Sequence, residues 1–153
     1  MKRAVAPEAM GRLIRETFRA MIQRVERQFE QTDIVFSQWL ALKLIDEGTI
    51  RCVTDVNREL GIRSGAATRL VDRLVSRRLL RRCRSGTDRR VIGLELTDEG
   101  QATILAMQPR LAIFWARHLA MFSERERQEL MSMLTRLRDG LLTTCVPSQE
   151  SRS

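Results

Sequence analysis

The chain has 153 residues, of which 43% are hydrophobic, and it carries a formal net charge of +8. This length suits one folding unit, and we expect neither a transmembrane helix nor a signal peptide, because no apolar run is long enough and no cleavage pattern follows the N-terminus. The chain has three cysteines, Cys52, Cys83 and Cys145, which are widely spaced. This odd number is typical of a protein in a reducing cytoplasm. It does not fit a disulfide framework, and the spacing does not fit a zinc site built from paired cysteines.

The N-terminal segment is predicted to be an amphipathic helix that starts at Pro7, a residue suited to the first helical turn. From Met10 to Phe29 apolar residues recur every three or four positions and form one continuous stripe. Such a stripe needs a surface to pack on, either in its own domain or on a second subunit. The second is favoured, because the sequence offers no other large local core to receive it.

A second helix is predicted over residues 33–47, with Ser37 as an early cap and Gly48 as its end. Apolar residues fill much of this segment and predict a largely buried helix. Residues 49–53 are predicted to form a short strand.

Two helices joined by a tight turn are predicted next. Thr54 is expected to cap the first and Gly61 to end it in the left-handed conformation. Ser64 is expected to cap the second, whose apolar residues fall at helical spacing. Two helices separated by a turn that contains Gly form the helix-turn-helix pattern, in which the second helix reads DNA.

A basic hairpin follows this pair of helices. The strand-like runs LRRCR (80–84) and VIGLEL (91–96) flank a polar tip. From Arg69 through Arg90 there are nine arginines and two acidic residues, a local balance of +7 in a chain of +8. A solvated charged face is the ordinary alternative, but this concentration of charge on one compact unit favours a polyanionic partner.

Two further helices complete the chain. Thr97 is expected to cap a long one, which Pro109 should kink or split. Ser123 and Glu126 form a capping box that starts the last. That helix carries a pairing seam of near-heptad spacing. The seam consists of Leu130, Leu134, Leu137 and Leu141.

The order of helix-turn-helix, SGTDRR tip, VIGLELT strand and helix-opening DEG resembles the MarR family of bacterial transcription regulators over nearly the full length. The resemblance implies a mostly α fold with a small β-wing, and a cytoplasmic homodimer that binds double-stranded DNA. We expect a single domain over 1–153, with a winged lobe over 34–102 and a helical dimerisation platform over 7–32 and 103–146. The N-terminal reactive cysteine of the family's peroxide-sensing branch is missing.

The residues predicted to contact DNA lie in the first turns of the second helix of the pair and at the hairpin tip. Small residues there allow close approach to DNA, with Thr68 and Arg69 expected at bases or phosphates and Arg73 at the backbone. The resemblance implies that Arg90 enters the minor groove and that Asp88 orients it. The full predicted set is Ser64, Ala66, Ala67, Thr68, Arg69, Arg73, Asp88, Arg89 and Arg90.

The resemblance also implies an effector. A small aromatic acid or phenol would enter a crevice between the helical platform and the winged lobe, and the protein would then release DNA. Phe36 and Trp39 offer flat apolar walls for it. Arg15, beside Phe18, could meet a carboxylate, and His118 could add a hydrogen bond. For each of these residues taken singly, an ordinary core or solvent-facing role is the favoured alternative.

Enzymatic chemistry is not expected. The chain lacks a phosphate loop, a dinucleotide glycine fingerprint and a nucleophile elbow, and its single histidine has no recognisable catalytic partners. No cofactor and no metal are predicted. The rival class is a basic architectural or RNA-binding protein without an effector, which would distinguish little between an inverted-repeat operator and random duplex.

Overall fold

The computed structural model describes residues 6–84 and 92–143. Within these ranges the chain forms six α-helices, a 3-10 turn and a two-stranded antiparallel sheet, which confirms the mostly α fold with a small β-wing. None of the described helices is both long and apolar enough to cross a membrane.

The elements follow one another in the predicted order. The helices are α1 (Pro7–Glu26), α2 (Phe36–Asp46), α3 (Val53–Leu60), α4 (Ser64–Ser76), α5 (Asp98–Leu119) and α6 (Glu124–Thr143). The strands are β1 (Leu80–Arg84) and β2 (Ile92–Leu96), and a 3-10 turn (Arg27–Phe29) follows α1. The chain divides into two compact units between Ala112 and Ile113, inside α5. The predicted division into a winged lobe and a dimerisation platform is a different one, and it stays a prediction.

Helix α1 begins at Pro7 as predicted, because a proline lacks the N–H that the first turn leaves unpaired. Its apolar stripe is covered at one end only. Val25 and Phe29, at and just beyond its C-terminal end, are buried. The N-terminal part, by contrast, exposes Met10, Leu13, Ile14 and Phe18 by 44–60%.

Helix α2 is shorter than predicted and begins at Phe36. The predicted cap at Ser37 is wrong: Val35 is the N-cap, and its N–H donates to Oε1 of Gln38, 3.5 Å away. The helix ends before Gly48 as expected, where a backbone φ of 73° places the glycine in the left-handed region. Its central residues Ala41 and Leu42 are fully buried, so α2 passes through the core of the N-terminal unit.

The predicted strand over residues 49–53 is wrong. This segment makes a single bridge, between Cys52 and Gly93, and the carbonyl of Arg51 accepts the N–H of Leu94 at 2.9 Å. Pairing stops there because α3 begins at the next residue, Val53. The segment therefore lies along β2 without extending the sheet.

The hairpin pairs Leu80 with Leu96 and Arg84 with Ile92, in regular antiparallel register. Gly93 lies opposite Cys83, and a Cβ built at this glycine would come within 2.7 Å of the Cys83 sulphur. The lack of a side chain at this position therefore lets the thiol lie over the middle of the sheet. Burial, together with the hydrogen bond and negative charge of Glu95, raises the pKa of Cys83.

The start of α5 is joined closely to the base of β1. As predicted, Thr97 caps the helix: its hydroxyl accepts the N–H of Gly100 at 3.1 Å and donates to the carbonyl of Arg78 at 2.5 Å. The N–H of Thr97 donates to the carbonyl of Leu79 at 3.3 Å. A side chain at Gly100 would overlap this same carbonyl, so the helix lies directly against the backbone. The predicted split at Pro109 is absent, because α5 continues through it.

Helix α6 begins at the predicted capping box, with Ser123 N–H 2.8 Å from Oε2 of Glu126 and Glu126 N–H 3.3 Å from the serine hydroxyl. None of its twenty residues is buried. The predicted seam is open to solvent in the single chain, and Leu134, Leu137 and Leu141 are exposed by 52%, 42% and 70%.

Candidate nucleic-acid interface

Helix α4 separates its apolar and polar side chains onto two faces. Ala67, Val71 and Leu74, spaced by three and four residues, are fully buried in the N-terminal unit. Arg69 and Arg73 lie on the exposed side. The spacing of the buried residues fixes the rotation of the helix, because turning it would bring these residues into water. The arginines are therefore held outward by the core beneath them.

The turn between α3 and α4 is closed by backbone geometry and one amide side chain. Gly61 is left-handed, with φ of 62°, as the sequence predicted. The N–H of Ile62 donates to the carbonyl of Asn57 at 3.2 Å, and the Asn57 side chain donates back to the carbonyl of Ile62. These reciprocal bonds set the angle at which α4 leaves α3.

The N-terminus of α3 is held by Asp55. The predicted cap at Thr54 is wrong, because the helix begins one residue earlier with Cys52 as N-cap. The Asp55 carboxylate accepts the N–H groups of Arg51 at 2.9 Å and Cys52 at 3.2 Å. Burial by itself raises the pKa of Asp55, but these bonds, the Cys52 thiol and the charge of Arg58 outweigh it and hold the pKa below its ordinary value.

The predicted DNA contacts on α4 are not all available to a ligand. Ser64, Thr68, Arg69 and Arg73 are exposed, and Ala66 is partly exposed. Ala67 is fully buried, so it packs in the core and is removed from the set of contacts. The predicted cap at Ser64 is also wrong. Arg63 is the N-cap, makes no capping hydrogen bond through its side chain, and leaves Ser64 as the first helical residue.

The arginines of this region differ in how far their charges are neutralised. Arg82 pairs with Asp72 at 2.5 Å, and Arg81 pairs with Glu95 at 2.7 Å. Within residues 6–84 and 92–143, neither Arg69 nor Arg73 forms an ion pair. Arg69 and Arg73 on α4 are therefore not neutralised by any described acidic residue.

The hairpin tip is the second part of the predicted interface. Asp88, Arg89 and Arg90 lie outside the described residues. The two strands bring the chain to this tip and back in register, from Arg84 to Ile92. The assignments at the tip stay predictions.

The residues predicted for an effector crevice are only partly brought together. Phe36 and Trp39 stack with ring centroids 6.3 Å apart, and both pack against Phe29. Trp39 is buried, and its indole Nε1 lies 3.5 Å from the carbonyl of Ile104. Arg15 and Phe18 lie on the exposed part of α1. Trp39 is thus part of the core of the N-terminal unit and Phe36 is half-buried, whereas Arg15 and Phe18 are exposed.

His118 belongs to the C-terminal unit. Its Nδ1 lies 2.8 Å from the carbonyl of Phe114, one helical turn earlier, and its ring lies 4.3 Å from the ring of that residue. The imidazole is therefore engaged with its own helix.

Sequence reasoning missed two residues beside α4. Gln38 is a buried polar side chain, exposed by only 5%, on α2. The guanidinium of Arg77 donates to the backbone carbonyl of Asp33 and lies 3.4 Å from Oε1 of Gln38. A glutamine inside the apolar run FSQWLAL was the available signal, because buried glutamines need hydrogen-bond partners.

Comparison with known proteins shows what this region is similar to. Residues 32–91 match the model of the MarR family. The HTH-type transcriptional repressor MdtR of Bacillus subtilis is 24% identical over 128 residues, covering 81% of this chain and 83% of MdtR. The matched segment contains α2, α3, α4 and β1, which is the part that presents the free arginines.

Solved structures share the fold over most of the chain. The MepR–DNA complex of S. aureus has a TM-score of 0.72 at 21% identity, covering 86% of this chain and 97% of MepR. BpsR of Bordetella bronchiseptica, whose DNA binding is regulated by 6-hydroxynicotinic acid, has a TM-score of 0.71 at 22% identity, covering 84% and 98%. At these identities the likeness establishes the architecture.

Proposed function

We propose that the chain, whose residues 32–91 match the model of the MarR family, is a transcriptional regulator that binds an inverted-repeat operator as a homodimer. The observation that carries this proposal is the outward face of α4, where Arg69 and Arg73 have no ion-pair partner among the described residues. Such arginines, on a helix held by a buried face, can bind phosphates and base edges without first breaking an ion pair.

The dimer is supported by the apolar surfaces that the single chain leaves open. Leucines and methionines of α6 and the N-terminal part of α1 remain in contact with water. Burying them against a second copy removes this apolar area from solvent. A two-fold axis would then set two α4 helices about 34–36 Å apart, in successive major grooves.

The proposed division of labour within the interface can be tested with two arginine variants. Arg90→Ala should weaken binding to the operator more than to random duplex, because the wing arginine is proposed to read the minor groove. Arg73→Ala should weaken both about equally and reduce the salt dependence, as loss of a phosphate contact does. Fluorescence anisotropy over a series of salt concentrations, with an operator selected from random duplexes, measures both effects.

The outcome also separates this function from its rival. An architectural or RNA-binding protein would show little difference between the selected duplex and random sequence. Identical losses for the two variants across sequences and salt would contradict the proposed roles.

We further propose that the regulator is a repressor released by a small aromatic carboxylate or phenol, with BpsR as the supporting precedent for a ring acid acting on this fold. Arg15, Phe18, Phe36 and Trp39 of the N-terminal unit are the proposed contacts, and the role expected for His118 stays a prediction. Release requires the effector to bind the DNA-free form of the protein more tightly than the DNA-bound form.

Benzoates, pyridine carboxylates and phenols titrated into the operator complex should dissociate it, and Arg15→Ala should make carboxylates less effective. Dissociation that is unchanged in Arg15→Ala and Trp39→Ala would place the site elsewhere.

A further inference from the structure

A groove runs between the N-terminus of α2 and the exposed side of α4, within the N-terminal unit. It consists of two adjoining cavities, of about 460 and 230 Å³, that share Val35, Gln38 and Arg73. Arg77 and Asp33 line the larger cavity, and Arg69 and Ser37 line the smaller. Three arginines and one acid therefore face the groove.

The arginines at this groove are not equivalent. Arg77 is occupied, because it donates to the carbonyl of Asp33 and contacts Gln38. Arg69 and Arg73 make no ion pair with any described residue. Two guanidinium groups thus remain available on the α4 side, one helical turn apart.

Gln38 supplies an unused donor from the opposite side. Its Oε1 accepts from the N–H of Val35 and lies 3.4 Å from the Arg77 guanidinium. No described residue accepts a hydrogen bond from its Nε2. No buried side-chain nitrogen or oxygen among the described residues lacks a partner, so this Nε2 must reach the solvent of the groove. The residue is nevertheless 95% buried, since it is exposed by only 5%.

The first turn of α2 adds backbone donors. The N-cap is Val35, whose side chain has no oxygen with which to accept the N–H groups of the first turn. Gln38 and Trp39 donate to the carbonyl of Val35, whereas the N–H groups of Phe36 and Ser37 have no acceptor among the described residues. Free N–H groups and the positive end of the helix dipole favour an anion at this position.

We propose that this groove binds a phosphate of the DNA backbone, between Arg69 and Arg73 on one side and Gln38 with the first turn of α2 on the other. The inference rests on the proposed DNA-binding function, which it extends from α4 to α2. A backbone phosphodiester is favoured over a free anion because Arg69 also borders the exposed first turns of α4, which are proposed to lie in the major groove. The phosphates that flank a major groove run beside the helix that reads it.

The test is Gln38→Glu, which keeps an oxygen for Val35 and Arg77 but replaces the free donor with negative charge. The matched control is Gln108→Glu, the same change at an exposed position of α5. With random-sequence duplex as the probe, Gln38→Glu should lower affinity about tenfold or more at low salt. It should also make the slope of log affinity against log salt concentration shallower, by about the amount that one phosphate contact contributes. Gln108→Glu should change affinity less than about twofold.

A second variant keeps the test valid if Gln38→Glu fails to fold. Ser37→Asp places a carboxylate at the exposed N-terminus of α2, where it should raise the melting temperature through the helix dipole while it weakens DNA binding. Opposite changes in stability and affinity are not expected from a purely structural role. The same Gln38→Glu change in an Arg73→Ala background should have a clearly smaller effect, because both residues are proposed to hold one phosphate.

Three results would overturn the inference in distinguishable ways. Wild-type protein that does not bind duplex at all would remove the proposed function and this inference together. Normal duplex binding with equal affinity for Gln38→Glu and Gln108→Glu would remove the groove alone. If Gln38→Glu retains duplex affinity but loses a thermal shift produced by inorganic phosphate at constant ionic strength, the groove holds a free anion.

Discussion

Helices α4 and α6 have similar amphipathic sequences and opposite surroundings. Three of the thirteen residues of α4 are buried, and Leu74 among them is completely inaccessible. None of the twenty residues of α6 is buried, and Leu141 is 70% exposed. The apolar face of an amphipathic helix is stable only when another surface covers it. The chain's own core covers this face at α4 but not at α6.

Helix α1 shows the same contrast within one element. Its C-terminal end is buried through Val25, whereas Phe18, two turns earlier, is 60% exposed. The boundary between the covered and uncovered parts of this stripe marks where the chain's own core ends.

The largest expected effect comes from changing the open face. Leu134→Glu together with Leu137→Glu should weaken dimerisation more than about a thousandfold, because each carboxylate would be buried without a partner. Analytical ultracentrifugation should show monomers. Operator affinity should fall because the α4 helix of the second subunit no longer binds together with the first.

The matched control is Gln128→Glu with Ser132→Glu, which adds the same charge to the opposite side of α6 by helical spacing. It should remain dimeric. A soluble monomer with full operator affinity, in either the wild type or the variant, would contradict the proposed assembly.

A smaller effect is expected from the covered face. Leu74→Ala should lower the free energy of unfolding by about 2–5 kcal/mol, the usual cost of such a truncation in a packed core. The loss should be the same at low and high protein concentration in urea titrations. Leu141→Ala should leave the free energy of unfolding of dilute protein nearly unchanged. It should lower this free energy only at protein concentrations at which dimers form. An equal loss for both variants in dilute protein would show that α6 is covered by its own chain.

The smallest expected effect concerns the cap that holds α3. Asp55→Asn should lower the free energy of unfolding by about 1 kcal/mol at neutral pH. Because the pKa of Asp55 is lower in the folded chain, its contribution is present above the unfolded pKa, roughly 4, and is lost as pH falls through the folded value.

Thermal unfolding over a pH series, with Glu59→Gln as an exposed control, measures this dependence. The curves of wild type and Asp55→Asn should converge in acid. A constant difference down to the lowest pH would mean that the carboxylate charge is not what stabilises the cap.

Much of the fold could be predicted from local chemistry. Gly61, Thr97 and the pair Ser123–Glu126 were placed correctly because each satisfies a backbone requirement set within a few residues. The caps at Thr54, Ser37 and Ser64 were wrong for the opposite reason. Each helix begins one or two residues earlier, with Cys52, Val35 or Arg63 as the N-cap, so its start is not set by a capping hydroxyl.

The candidate site was predictable only in part. The arginine cluster is visible in the sequence, but which arginines are neutralised depends on partners such as Asp72 and Glu95, which only tertiary structure brings close. Ala67 was misplaced because a small residue near a helix start suits either DNA contact or close packing. The groove beside α4 needs Gln38, which lies 39 residues before Arg77, and no local pattern relates segments so distant in sequence.

The junction between α5 and the hairpin has a mechanical consequence. Thr97 is hydrogen-bonded to the carbonyls of Arg78 and Leu79, and Gly100 lies against the same backbone without an intervening side chain. Two hydrogen bonds and a direct backbone contact leave no free hinge between the first turn of α5 and β1. Any tilt of that turn must therefore be transmitted to the strands, so the angle of the strands follows the direction in which α5 starts.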